Sequence, residues 1–94
     1  MSTTAQNSRV GIGVVLPNGW TVVDVWHDTS QERFGDMRPQ GIVLAMNAAH
    51  EYDPFATWQF FSDERGILTV SGYYFHSIYP ASRDFGRRIG TQEA

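Results

Sequence analysis

The dipeptide Asn18-Gly19 constrains the fold more than any other feature of the chain, because it separates two runs rich in β-branched residues. Val10-Gly-Ile-Gly-Val-Val-Leu16 precedes it, and Trp20-Thr-Val-Val-Asp-Val-Trp26 follows it. Asn-Gly supplies the two positive-φ positions of a type I′ turn, so the pair predicts a hairpin with a two-residue loop. In that register Pro17 faces Trp20, Val15 faces Val22, Val14 faces Val23 and Ile12 faces Val25. One face then carries Val10, Ile12, Val14, Leu16, Thr21, Val23 and Val25, the better core face. The other carries Val15, Trp20, Val22, Asp24 and Trp26, with the Trp26 indole opposite Gly11.

A second hairpin is predicted from Phe55 to Phe75, closed by Asp63-Glu64-Arg65-Gly66 with Gly66 in the left-handed position. Its register puts Phe55, Phe61, Leu68, Val70 and Tyr74 on one face and Trp58, Phe60, Ile67, Tyr73 and Phe75 on the other. Between the hairpins, Ile42-Val-Leu-Ala-Met46 reads as a central strand covered on both faces. The polar stretch from His27 to Gly41 reads as a long connection, in which Thr29 or Ser30 caps a helical turn reaching Phe34. A helix is predicted from about Ile78 to Ile89, with Ser77 as N-cap and Pro80 in the first turn. Ile78, Ala81, Phe85 and Ile89 form its apolar stripe, Asp84 and Arg88 pair on the solvent side, and Gly90 ends it. The order of elements predicts an α+β domain: an antiparallel sheet of about five strands, two hairpins plus one strand, with a C-terminal helix packed on one face. Ninety-four residues suit one domain, with 1–9 and 90–94 as disordered tails.

Composition narrows the chemistry. There is no cysteine, which excludes disulfides, thiol nucleophiles, Cys-ligated zinc and iron–sulfur clusters. All seven basic residues are arginine, which excludes Schiff-base chemistry and a P-loop lysine. A net charge of −3 argues against general nucleic-acid binding. No apolar run approaches the roughly 20 residues that span a bilayer. The first nine residues lack the apolar stretch of a secretory signal, so the cytoplasm is the expected compartment and no membrane association is expected. No cofactor is expected either.

Three clusters invite a chemical reading. His50, Glu51 and Asp53 are metal-ligand types in number, but an HExxH pair would need a histidine at Pro54. Ser71 or Ser77 with His76 and Asp84 makes a hydrolase triad on paper, without the G-x-S-x-G elbow that would expose the nucleophile. Arg83, Arg87 and Arg88 read either as a contact for phosphate or an acidic protein surface, or as a solvated face that complements the helix dipole. The aromatic content of 14% is the most informative figure, since aromatics dominate both cores and interface hot spots. Trp20, Trp58, Tyr73 and Tyr79 are the candidates for a surface patch, Trp58 and Tyr73 being expected on one face of adjacent strands.

Phe55-Ala-Thr-Trp58, Ser71-Gly-Tyr-Tyr-Phe75, Ala81 and Asp84-Phe-Gly-Arg87 together follow a pattern of the form V-T-W, G-x-Y-F and A-x-x-D-F-x-x-R. The pattern resembles a loose group of short uncharacterised proteins from phages, plasmids and actinobacterial or proteobacterial genomes. It covers about the last forty residues and departs from the group at Ser71-Gly72-Tyr73, where a Gly-His pair is common. The resemblance implies mobile-element provenance, and with it stoichiometric inhibitors of the anti-CRISPR-like kind ahead of metabolic enzymes. The resulting expectation is a non-enzymatic module that binds another protein, with Trp20, Trp58, Tyr73, Tyr79, Arg83 and Arg87 as contact residues. A homodimer through the aromatic face is one form of it. The alternatives are a metal-dependent hydrolase at His50–Asp53 and a nucleic-acid accessory protein using Arg83, Arg87 and Arg88.

Overall fold

Pro17 decides how the first hairpin closes. A two-residue loop would pair Pro17 with Trp20 through two backbone hydrogen bonds, and proline has no N–H to give. In the computed structural model, which describes residues 10–28 and 39–93, the loop has three residues instead. The Leu16 N–H donates to the Trp20 carbonyl at 2.7 Å and the Gly19 N–H to the Leu16 carbonyl at 2.8 Å. Pro17 then takes the first loop position, where its fixed φ suits a turn, and Gly19 the last, at a φ of 91°. The Asn18 carboxamide oxygen accepts from the Trp20 N–H at 3.1 Å and steadies the corner.

This one-residue slip turns the second run over relative to the first, so that Trp20 and Val22 share a face with Leu16. Leu16, Trp20 and Val22 are buried, whereas Ile12 and Val23, expected in the core, are exposed. A turn closed by the Val14 N–H on the Gly11 carbonyl bends the preceding segment away from β pairing. Its pairing with the next run is confined to residues 13–16, through the bridge between Val15 and Thr21, the Gly13 N–H on the Val22 carbonyl at 2.8 Å and the Val22 N–H on the Val14 carbonyl at 2.9 Å. The expected first strand is therefore absent, and Trp26 lies beside Ile42 rather than Gly11.

Four strands follow, β1 (Thr21–His27), β2 (Gly41–Met46), β3 (Phe55–Asp63) and β4 (Gly66–Phe75), and then the helix α1 (Ile78–Glu93). The strands pair antiparallel with their sequence neighbours, in the order β1-β2-β3-β4. The fold is α+β, with a four-stranded sheet rather than one of about five. β2 is central, and Ile42, Val43, Leu44 and Ala45 are all buried, as a strand covered on both faces must be. The expected capped turn at 29–34 and the tail at 1–9 lie outside the described residues.

One face of the sheet packs Val22, Val43, Ala45, Ala56, Trp58 and Phe60 against Val10, Leu16 and Trp20. The Trp20 and Trp58 rings meet edge to face with centroids 5.2 Å apart, and His27 donates from Nε2 to the Val10 carbonyl at 2.8 Å. The opposite face carries α1, which packs on β2, β3 and β4. The helix runs past Gly90, which was expected to stop it. Gln92 ties its last turn down, donating from Nε2 to Asp28 Oδ2 at 3.0 Å and to the Pro39 carbonyl at 2.9 Å. Residues 90–93 are thus helix and not a tail.

Candidate functional site

The β3–β4 hairpin starts in the register read from the sequence, with Phe61 opposite Leu68 and Ser62 opposite Ile67. It does not keep it. Gln59 faces Val70 but Thr57 faces Tyr73, so Trp58 is opposed by two residues, Ser71 and Gly72. Ser71 has a φ of 56°, the only positive value among the described non-glycine residues. Gly72 lies so close to the Trp58 indole that a β-carbon there would run into the ring nitrogen. The bulge flips the end of β4. Tyr73 and Phe75 turn to the helix side, and Tyr74 packs with Trp20 and Trp58, each at a centroid distance of 5.8 Å.

What holds the bulge comes from α1. Arg88, expected on the solvent side, is 8% exposed and points at the sheet. Its Nη1 donates to the Thr57 carbonyl at 3.1 Å and to Thr57 Oγ1 at 2.9 Å, and its Nη2 donates to the Ser71 carbonyl at 2.6 Å. The guanidinium carbon sits 4.7 Å from the Tyr73 ring centroid, a cation–π contact. Thr57 Oγ1 in turn donates to Asp84 Oδ2 at 2.6 Å, and that oxygen lies 4.0 Å from Arg88 Nη1. Asp84 Oδ1 takes Arg87 through Nε and Nη2. Burial pulls the Arg88 pKa below its ordinary value, against the attraction of Asp84 and Tyr73. The hydrogen bond to Asp84, then its charge, raises that of Arg87.

Between α1 and the sheet this leaves a cleft of about 190 Å³ lined by Gln59, Tyr73, Arg87, Arg88, Thr91 and Gln92. A second cleft of about 280 Å³, lined by Phe75, Pro80, Arg83, Asp84 and Arg87, adjoins it through Arg87. Of the residues singled out from the sequence, Tyr73, Arg83 and Arg87 come together here. Tyr79, 78% exposed, stands one helical turn before Arg83 on the outer side of α1.

Trp20 and Trp58 do not join them, being only 4% and 5% exposed. The segment at 10–20 covers the face on which an open aromatic patch was expected, and the bulge separates Trp58 from Tyr73. His50, Glu51 and Asp53 are exposed on the β2–β3 loop, where the His50 ring rests on Trp20 with centroids 4.8 Å apart. Among the described residues no group of three His, Cys, Asp or Glu side chains converges to hold a metal. The paper triad also comes apart, because the two oxygens of Asp84 go to Arg87 and Thr57.

Thr57, Gln59 and Thr91 were not singled out from the sequence. The available signal was the spacing of Ala81, Asp84 and Arg88, three and four residues apart, which puts two charged groups on the buried stripe. No helix among the described residues is long and apolar enough to cross a membrane. The fold and site define a small α+β domain with a polar, arginine-lined groove between its helix and the last two strands. Comparison with protein families, curated proteins and solved structures finds no match.

Proposed function

We propose that this is a small non-enzymatic module that binds another protein through the groove and rim formed by α1 and β4. The observation that carries the reading is the placement of Tyr73 and Tyr79, 51% and 78% exposed, on either side of the exposed Arg83 and Arg87. Tyrosine and arginine are enriched at interface hot spots because each buries much area while keeping a polar end to pair. The likeness of the C-terminal pattern to short phage and plasmid proteins fits a stoichiometric inhibitor or modulator acting in the cytoplasm.

Affinity capture from extract of the native host tests the proposal, comparing wild type, a Tyr79→Ala/Arg83→Ala double variant and Leu68→Ala. Leu68 is 61% exposed on β4 and lines a separate cleft of about 580 Å³ beside the β3–β4 turn, not the groove at α1. The expected result is one protein retained by wild type and Leu68→Ala and lost from the double variant, whose thermal melt stays unchanged. Equal recovery on all three sinks the proposal. If the retained protein is a second copy of this chain, the interaction is a homodimer through the same rim.

A further inference from the structure

The two clefts differ in lining in a way that describes what lies along them. Every side chain on the first is polar, two of them cationic, and no carboxylate lines it. The second pairs the apolar Phe75 and Pro80 with Arg83 and Asp84, and Arg87 belongs to both. Charge is concentrated here. Arg83, Arg87 and Arg88 fall within six residues, and the ion pairs of Arg87 and Arg88 both end on the single carboxylate of Asp84. The chain as a whole carries −3, so this groove is a basic strip on an acidic molecule. Arg88 is locked in place by Thr57 and Ser71, whereas Arg87 is exposed and reaches from the groove wall. A buried guanidinium beside an exposed one, the latter anchored on its inner side by Asp84, suits a planar carboxylate, which accepts from both.

Size limits the occupant. At about 190 Å³ the polar cleft has room for one short side chain. The neighbouring cleft continues the groove, so the occupant extends beyond its charged group.

Building on the protein-binding proposal above, we infer that the groove takes an extended acidic segment of the partner. One carboxylate enters beside Gln59, Tyr73, Arg87 and Arg88, and an adjoining apolar side chain rests on Phe75 and Pro80.

The test is fluorescence anisotropy with a short labelled peptide of alternating glutamate and leucine. The same peptide with glutamine for glutamate and inorganic phosphate as competitor are the comparison arms. Arg87→Gln is an exposed change that leaves the Arg88 contacts in place, and Arg65→Gln controls for loss of one positive charge elsewhere. Saturable binding of the glutamate peptide, weakened at least about tenfold by Arg87→Gln, is expected, since losing a charged hydrogen bond has that effect. Binding also falls with added salt and is unchanged by Arg65→Gln. Equal binding of the glutamine peptide overturns the inference, as does no binding to the folded wild type. Phosphate that saturates the site alone, with the same Arg87 dependence and no gain from the peptide, overturns it in favour of a free-oxyanion site. A native partner held equally by wild type and Arg87→Gln overturns the acidic segment while leaving the binding module standing.

Discussion

On one face of the sheet Trp20, Val22, Trp58 and Phe60 pack with Leu16 and Val10 into an apolar layer. On the other, Ile42, Leu44 and Ala81 are buried beside Thr57 and Arg88, with Asp84 only 11% exposed at the side chain. The first cover is an irregular segment that fills volume. The second is a helix that also brings charge onto the sheet. An apolar layer depends on volume and shape, so its cost of change scales with the atoms removed. A buried polar cluster depends on completeness: removing one member strands the others, while removing all of them together costs little.

The largest expected effect falls on the apolar face. Trp58→Ala should cost about 3–5 kcal/mol, because it empties the centre of that layer. In a chain of this length that lowers the melting temperature by more than about ten degrees. A loss under about 1 kcal/mol would mean that the segment at 10–20 does not close over the sheet.

Next comes the polar face. Arg88→Ala should cost about 1–3 kcal/mol, since Thr57 and the Ser71 carbonyl lose their donor while Asp84 keeps Arg87. The triple change Thr57→Val, Asp84→Leu, Arg88→Met should recover most of that loss in the same denaturant titration. If the triple variant is worse than Arg88→Ala, the cluster contributes net stability and the contrast between the faces is wrong.

Smaller again is the loop that seats the apolar cover. Pro17→Ala should cost about 0.4–1 kcal/mol through greater freedom of the unfolded chain, measured by equilibrium unfolding. A stabilised variant would show that Pro17 strains the loop.

At the bottom of the scale, Arg87→Gln should leave the melt unchanged, because Arg87 is exposed and Asp84 retains Thr57. A clear drop would move Arg87 from the binding rim into the structural cluster.

Those contrasts explain which parts of the molecule the residues disclosed. Ile42–Met46 shows its double burial as an unbroken apolar run, and the start of α1 and the Ser62–Ile67 register follow from local turn and helix signals. The Pro17 loop is legible too, because the N–H that proline lacks rules out the two-residue closure that Asn-Gly favours. The bulge at Ser71–Gly72 is not. It depends on an arginine 17 residues downstream reaching the Ser71 carbonyl, and no local pattern encodes that. The same holds for the site. Arg83 and Arg87 stand out by number, but Thr57 and Gln59 enter it only because β3 lies under the helix.

The bulge has a consequence for how copies of this protein behave at high concentration. β4 is the last strand of its sheet, and its ten residues carry no charge, a stretch that in flat form would template a neighbouring chain. The kink at Ser71 breaks the outward row of N–H and C=O groups at mid-strand, so a straight partner strand meets matching groups over only about half its length. Fibril growth needs an uninterrupted ladder. The hydrogen bond from Arg88 to the Ser71 carbonyl therefore guards against aggregation as well as fixing the groove.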